Sequence, residues 1–218
     1  MLLVSGEPWI RWNWVGRHLG TIWDALFQHI VLTAIAIGVG ILIAIPIGLL
    51  AWRYRRSRGT VLATTGALYT IPSLALFALL VPFTGLTTLT SEIGLVTYTL
   101  LILVRNIIVG LDGVPDEVRD AAVGMGYRPF RRLIALELPL ALPVIMAGVR
   151  IATVTTIGLV TITALIGQGG LGSLILSGLI QGFPTPLVIG AFLSVVLAVV
   201  ADVSLNMFQR LITPWSRA

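Results

Sequence analysis

The chain has 218 residues, 57% of them hydrophobic and only 11% charged, whereas a soluble domain carries about 25% charged residues. It has no cysteine, which excludes disulfides, thiolate nucleophiles and cysteine-ligated metals. The net charge is +5, and all fourteen basic residues are arginines gathered between apolar runs. That distribution argues against a nucleic-acid surface and for a chain oriented in lipid.

Residues 1–28 contain Arg11, Arg17 and Asp24, so no cleavable apolar core precedes the first long apolar run. Trp9, Trp12, Trp14 and Trp23 mark this stretch as an interfacial segment, because indoles favour the headgroup zone. The faces of the first three indoles could also form a cage for a quaternary ammonium; anchoring is the preferred reading. His18 and His29 have no partner at metal-ligand spacing and are read as interfacial residues.

A membrane-crossing helix needs about 20 mostly apolar residues. Five stretches qualify: 29–52, 61–83, 93–111, 139–166 and 186–209. The expected fold is therefore all-α and integral to the membrane. Pro46, Pro72 and Pro82 bend or interrupt the early spans. Tyr69 and Ser73 beside Pro72, Tyr98 in the third span and Thr156 in the fourth are candidates for a translocation path, or for packing and interhelical hydrogen bonds. Three ionisable residues fall inside spans: Arg105, Arg150 and Asp202. Such charges are costly in lipid, and Asp202 is expected to pair with Arg150 or Arg105.

Between the third and fourth spans lies a polar segment, 112–138. Pro115 suits the first turn of a helix, and Asp116, Glu117 and Asp120 suit the positive end of its dipole. Gly124 and Gly126 each offer a stop, which predicts a helix across 115–125. Pro129 is expected to open a second helix bearing Arg131 and Arg132, while Pro139 and Pro143 open the fourth span. Residues 167–172 hold four glycines, including Gly169 and Gly170, and read as a hinge or outer gate rather than a ligand site.

Arginine sets the orientation. Residues 53–60, 112–138 and 211–218 with Arg210 hold ten of the fourteen, and five crossings place all three on one side. The positive-inside rule makes that side cytoplasmic, with the N-terminus outside and the C-terminus inside. The chain has no lysine, hence no Walker phosphate loop, and no paired acid and base. It is not read as an enzyme.

Asp120-Ala121-Ala122 is followed by three residues and Gly126, then nine residues, Leu136, one residue and Leu138-Pro139. This spacing resembles the Glu-Ala-Ala signature loop of the membrane subunits of ATP-binding-cassette importers, with Asp120 for Glu and Leu136 for Ile. The runs HIVLTAIAIGVGILIAIPIGLLAWR (29–53), LYTIPSLALFALLVP (68–82) and ALIGQGGLGSLI (164–175) are similar to permeases of osmoprotectant uptake systems. The resemblance covers about 29 to 210. It implies a type I importer permease fold, with 29–210 as the transmembrane domain, 112–138 as its coupling loop and 211–218 as a cytoplasmic tail. It implies that Asp116, Glu117, Arg119, Asp120, Ala121, Ala122, Gly124, Met125 and Gly126 form a coupling helix against an ATPase. The implied partners are cytoplasmic ATPase subunits that bind ATP and Mg, a second permease subunit, identical or homologous, and an external substrate-binding protein. The implied cargo is glycine betaine, choline, carnitine or proline betaine, and the implied location is a bacterial inner or plasma membrane. A methionine or other amino-acid importer is the alternative within the class. A secondary transporter or channel, or a non-transporting anchor, lies outside it.

Overall fold

A computed structural model describes residues 9–217. Residues 1–8 of the expected interfacial segment, and residue 218 of the expected tail, lie outside the described residues. In chain order the helices are α1 (Trp12–Arg17), α2 (Leu19–Arg53), α3 (Arg55–Thr70), α4 (Ser73–Thr84), α5 (Thr88–Asp112), α6 (Asp116–Gly124) and α7 (Pro129–Arg132). A π turn (Leu133–Glu137) leads into α8 (Leu138–Ile162), and a 3-10 turn (Thr163–Ile166) closes it. Then come α9 (Leu171–Gln181), α10 (Pro184–Ile212) and a final 3-10 turn (Pro214–Arg217). Among the described residues, four helical runs are long and apolar enough to cross a membrane: α2, α5, the run Pro129–Ile166, and α10.

The second expected span, 61–83, is broken. α3 and α4 meet at 93° and count as a crossing only together. Pro72 is the cause: its ring drives Ile71 out of the α conformation, and Pro72 itself sits extended at φ −55°, ψ 133° before α4. The fourth span starts about ten residues before the expected 139. Pro129 opens the helix, whereas Pro139 and Pro143 lie inside it. Proline cannot donate to the fourth carbonyl before it, and the widened π turn directly ahead of Leu138 is where such a mismatch is absorbed. At the other end of the chain, α2 begins at Leu19, so residues 19–28 continue the first span instead of forming a separate interfacial helix. Its 35 residues extend roughly 50 Å, more than the ~30 Å hydrocarbon core requires. α9 was not expected at all; its 11 residues are too few to span.

The chain divides into two compact units. Unit 1 comprises 1–36, 71–96 and 153–200, and unit 2 comprises 37–70, 97–152 and 201–218. In unit 1, Leu32, Phe77, Leu95, Val96, Val160 and Ile166 form one cluster and Ala25, Leu171 and Leu174 another. His29, expected at the interface, is fully buried here. Its Nε2 lies 3.0 Å from the Ile157 carbonyl and must be the donor, since a carbonyl only accepts. Gly170 (φ 49°) backs onto the same turn of α2; a Cβ there would sit 2.8 Å from the His29 nitrogen and 2.9 Å from the Ala25 carbonyl.

Unit 2 is built around Leu103, Val104, Ile107, Ile108 and Leu111 of α5, with Ala44 and Ala51 of α2 and Ala141, Val149 and Ala152 of α8. Lipid is as apolar as leucine, so helices associate in it by close packing rather than by escape from water. Small residues at the crossings serve that end. A Cβ on Gly48 would come within 2.8 Å of Ile107, and one on Gly110 within 2.9 Å of the Ala141 carbonyl.

Candidate functional site

The polar segment after α5 is organised from its backbone outward. Pro115 caps α6 in an extended conformation (φ −59°, ψ 141°), and Asp116 and Glu117 occupy the first turn, facing the positive end of the dipole. The helix runs to Gly124, Met125 caps it, and the second candidate glycine turns the chain away. Gly126 is left-handed at φ 78°, its amide donates to the Val123 carbonyl at 2.9 Å, and the Tyr127 amide donates to the Ala122 carbonyl at 3.0 Å. This is a complete Schellman closure. A Cβ on Gly126 would meet nothing, so the backbone angle alone demands glycine.

Ala122 is buried, while Asp116, Glu117, Asp120, Ala121, Gly124 and Met125 are exposed. Apolar side chains stand out of this otherwise polar segment: Val123 is 55% exposed, Met125 67% and Phe130 73%. A small-residue helix with an apolar rim and acidic first turn is a surface suited to receive another chain.

Arg119 fixes the base of the segment. Its guanidinium donates to Asp116 Oδ1 at 2.7 Å and to the Leu111 carbonyl at 2.6 Å, and its Nε lies 3.5 Å from Glu137 Oε1. Glu137, in the π turn, is buried and also accepts from Arg132 Nε at 3.0 Å. One guanidinium thus joins the end of α5, α6 and the start of the fourth crossing. Arg58 pairs with Asp112 nearby, and Arg131 lies 4.8 Å over the Tyr127 ring. Sequence reasoning missed Glu137, which fills the unspecified place between Leu136 and Leu138. A lone acid in that apolar context was the available signal.

The other candidate residues are dispersed. In unit 2, Tyr69 and Tyr98 meet edge to face with centroids 5.7 Å apart. Arg150 grips Asp202 with two donors, Nε at 2.8 Å and Nη2 at 2.9 Å, and reaches Asn206 at 3.3 Å; Arg105 is exposed instead. In unit 1, Ser73 opens α4, Thr156 is buried, and Gly169 and Gly170 form a buried turn ahead of α9. Trp14 stacks on His18 at 4.3 Å and meets the edge of Phe183, while Trp9, Trp12 and Trp23 stay exposed. Among the described residues, no three His, Cys, Asp or Glu side chains gather as a metal site needs.

A family model described as "Binding-protein-dependent transport system inner membrane component" matches residues 36–214. The chain belongs to this family. The osmoprotectant import permease protein OsmW of Salmonella typhimurium is 39% identical over 200 residues, covering 89% of this chain and 93% of that protein. The choline transport system permease protein OpuBB of Bacillus subtilis is 36% identical over 188 residues, covering 86% and 87%. The glycine betaine/carnitine/choline transport system permease protein OpuCD of the same organism is 35% identical over 196 residues, covering 89% and 86%. Among solved structures, the methionine ABC transporter MetNI matches with a TM-score of 0.78 at 22% identity, over 86% of this chain and 94% of that chain. An amino acid ABC transporter solved with histidines matches at 0.73 and 17% identity, over 92% and 98%. The fold is that of the type I ABC importer permeases, and this permease is a transport subunit.

Proposed function

We propose that this permease forms the translocation path for a quaternary-ammonium osmoprotectant and is driven by ATP hydrolysed on a separate subunit. The observation carrying the cargo reading is the set of relatives at 33–39% identity, all named for osmoprotectant, choline or carnitine transport. In this reading α6 is the coupling helix: Asp116, Glu117, Asp120, Ala121, Gly124 and Met125 meet a groove on the ATPase, Ala122 and Arg119 hold the helix to its own subunit, and Gly126 ends it. ATP and Mg belong to that partner. A second permease subunit completes the path, and an external binding protein delivers the cargo.

The orientation is part of the same proposal. Unit 1 contains only Arg11 and Arg17; the other twelve arginines belong to unit 2, together with α6 and the C-terminal end. A positive-inside bias then favours a cytoplasmic α6 and C-terminal end and an external N-terminus. Residues 29–210 act as the transporting domain, and the Trp-bearing start of the chain as its interfacial anchor. The reading is tested by co-purifying the complex and reconstituting it in proteoliposomes with its binding protein. ATP-dependent uptake of labelled betaine, choline or carnitine is expected. Uptake of methionine alone, or uptake at full rate without ATP, would overturn it.

A further inference from the structure

Acids on or beside the spans of this permease are mostly committed. Asp112 pairs with Arg58, Glu137 with Arg119 and Arg132, and Asp202 with Arg150. Glu92 on α5 is different. Both of its carboxylate oxygens are buried without a hydrogen-bond partner, and so is the hydroxyl of Ser91 beside it. The contrast with the preceding residue is sharp: Thr90 Oγ1 donates to the Gly85 carbonyl at 2.5 Å and lies 2.7 Å from the Thr84 hydroxyl and 3.2 Å from that of Thr87. Buried polar atoms in native proteins nearly always have partners, so three orphans in two adjacent residues call for a missing one.

The placement of Glu92 narrows what is missing. One helical turn before it, Thr88 donates to Gln168 Oε1 at 3.0 Å. One turn after it, Leu95 and Val96 enter the apolar core of unit 1 with Leu32, Phe77 and Val160. Glu92 therefore stands where a polar rim of hydroxyls and an amide gives way to hydrocarbon. The cationic or imidazole side chains described in unit 1 are Arg11, Arg17, His18 and His29, and its one other described acid is Asp24. The first three lie in or beside α1, and His29 spends Nε2 on the Ile157 carbonyl.

A quaternary ammonium has no N–H to donate, so a hydrogen-bonding pocket cannot hold it. It needs aromatic faces or a full negative charge. A carboxylate already neutralised by arginine offers little; an unpaired one in an apolar surround is costly to charge alone, and an arriving cation offsets that cost, so charge and cargo are taken up together. We infer that Glu92, assisted by the Ser91 hydroxyl, is the counter-charge that receives the cationic nitrogen group of the cargo in the permease. The inference rests on the cargo reading above. On the proposed orientation this rim is the external end, the side on which a binding protein releases cargo.

The test uses the complete complex in proteoliposomes with saturating binding protein, together with equilibrium binding of labelled choline to the purified complex. Glu92→Gln keeps shape and removes charge. It should weaken choline binding and ATP-driven choline uptake by about tenfold, while thermal unfolding and basal ATP hydrolysis stay at wild-type values. Wild-type choline binding and uptake by Glu92→Gln would overturn the assignment. If that variant does not assemble, Glu92→Asp, which retains the charge on a shorter stem, should weaken choline binding about threefold at an unchanged unfolding temperature; unchanged binding would again overturn it. A wild-type complex that carries methionine but no quaternary ammonium defeats the cargo reading and this inference together. A wild-type complex that carries choline, beside a Glu92→Gln complex that does so equally well, defeats only this one.

Discussion

Gly126 and Gly170 both hold the chain in a positive-φ turn between helices, and there the likeness ends. Gly126 stands in open space at the end of α6, and only its backbone angle excludes a side chain. Gly170 is pressed against the backbone of α2 at Ala25 and His29, so both its angle and its surroundings exclude one. The first is a connection whose outer surface is left available to another molecule. The second is spent on internal packing. Two glycine-bearing connections in one fold thus divide between presenting a surface and closing a core.

The contrast is broken most directly at Gly170. Gly170→Val should destabilise the subunit by about 2–4 kcal/mol, combining overpacking with left-handed strain, and thermal unfolding in detergent reads the loss. An unfolding temperature equal to wild type would mean the turn is not packed as described. Next in size is Glu137→Gln, which leaves Arg119 and Arg132 facing a neutral group at a buried site and should cost about 2 kcal/mol. It should also loosen the link between ATP hydrolysis and uptake, measured as ATP consumed per cargo moved. Gly126→Ala should cost about 1 kcal/mol, from backbone strain alone. Its unfolding midpoint should fall less than that of Gly170→Val; an equal or larger fall would erase the distinction between the two turns. The smallest effect is expected at Asp202→Asn, because both partners of that ion pair are partly exposed. Insertion and unfolding temperature should dip, and the charge swap Arg150→Asp with Asp202→Arg should restore them. A swap worse than either single change would show that the pair does more than neutralise itself.

The sequence foretold the apolar runs, the helix between the third and fourth of them, and its stop. Composition and glycine chemistry fix those features locally. Where it misled, the deciding facts were tertiary or depended on the role of one proline. Nothing in the letters distinguishes Pro129, which opens a helix, from Pro139, which a helix runs through behind a π turn. Pro72 marks a break in the letters, but its identity alone does not give the 93° at which α3 and α4 meet. The third span is expected from 93, whereas α5 begins at Thr88 and carries Glu92 inside it. His29 was placed at the interface for its polarity, whereas a carbonyl 128 residues away lets it be buried. Glu137 escaped notice because its value lies in Arg119, eighteen residues earlier, which no local pattern connects to it.

The central claim is that α6 is the surface an ATPase grips, and the absence of native cysteine allows a clean test. A Met125→Cys variant carries a single thiol on the rim of α6, and a Leu86→Cys variant carries one at an exposed position in unit 1. Each would be assembled with the ATPase subunit and treated with a short thiol-to-amine crosslinker. The account predicts that Met125→Cys joins covalently to the ATPase and that Leu86→Cys does not. Crosslinking from Leu86→Cys with none from Met125→Cys would contradict it.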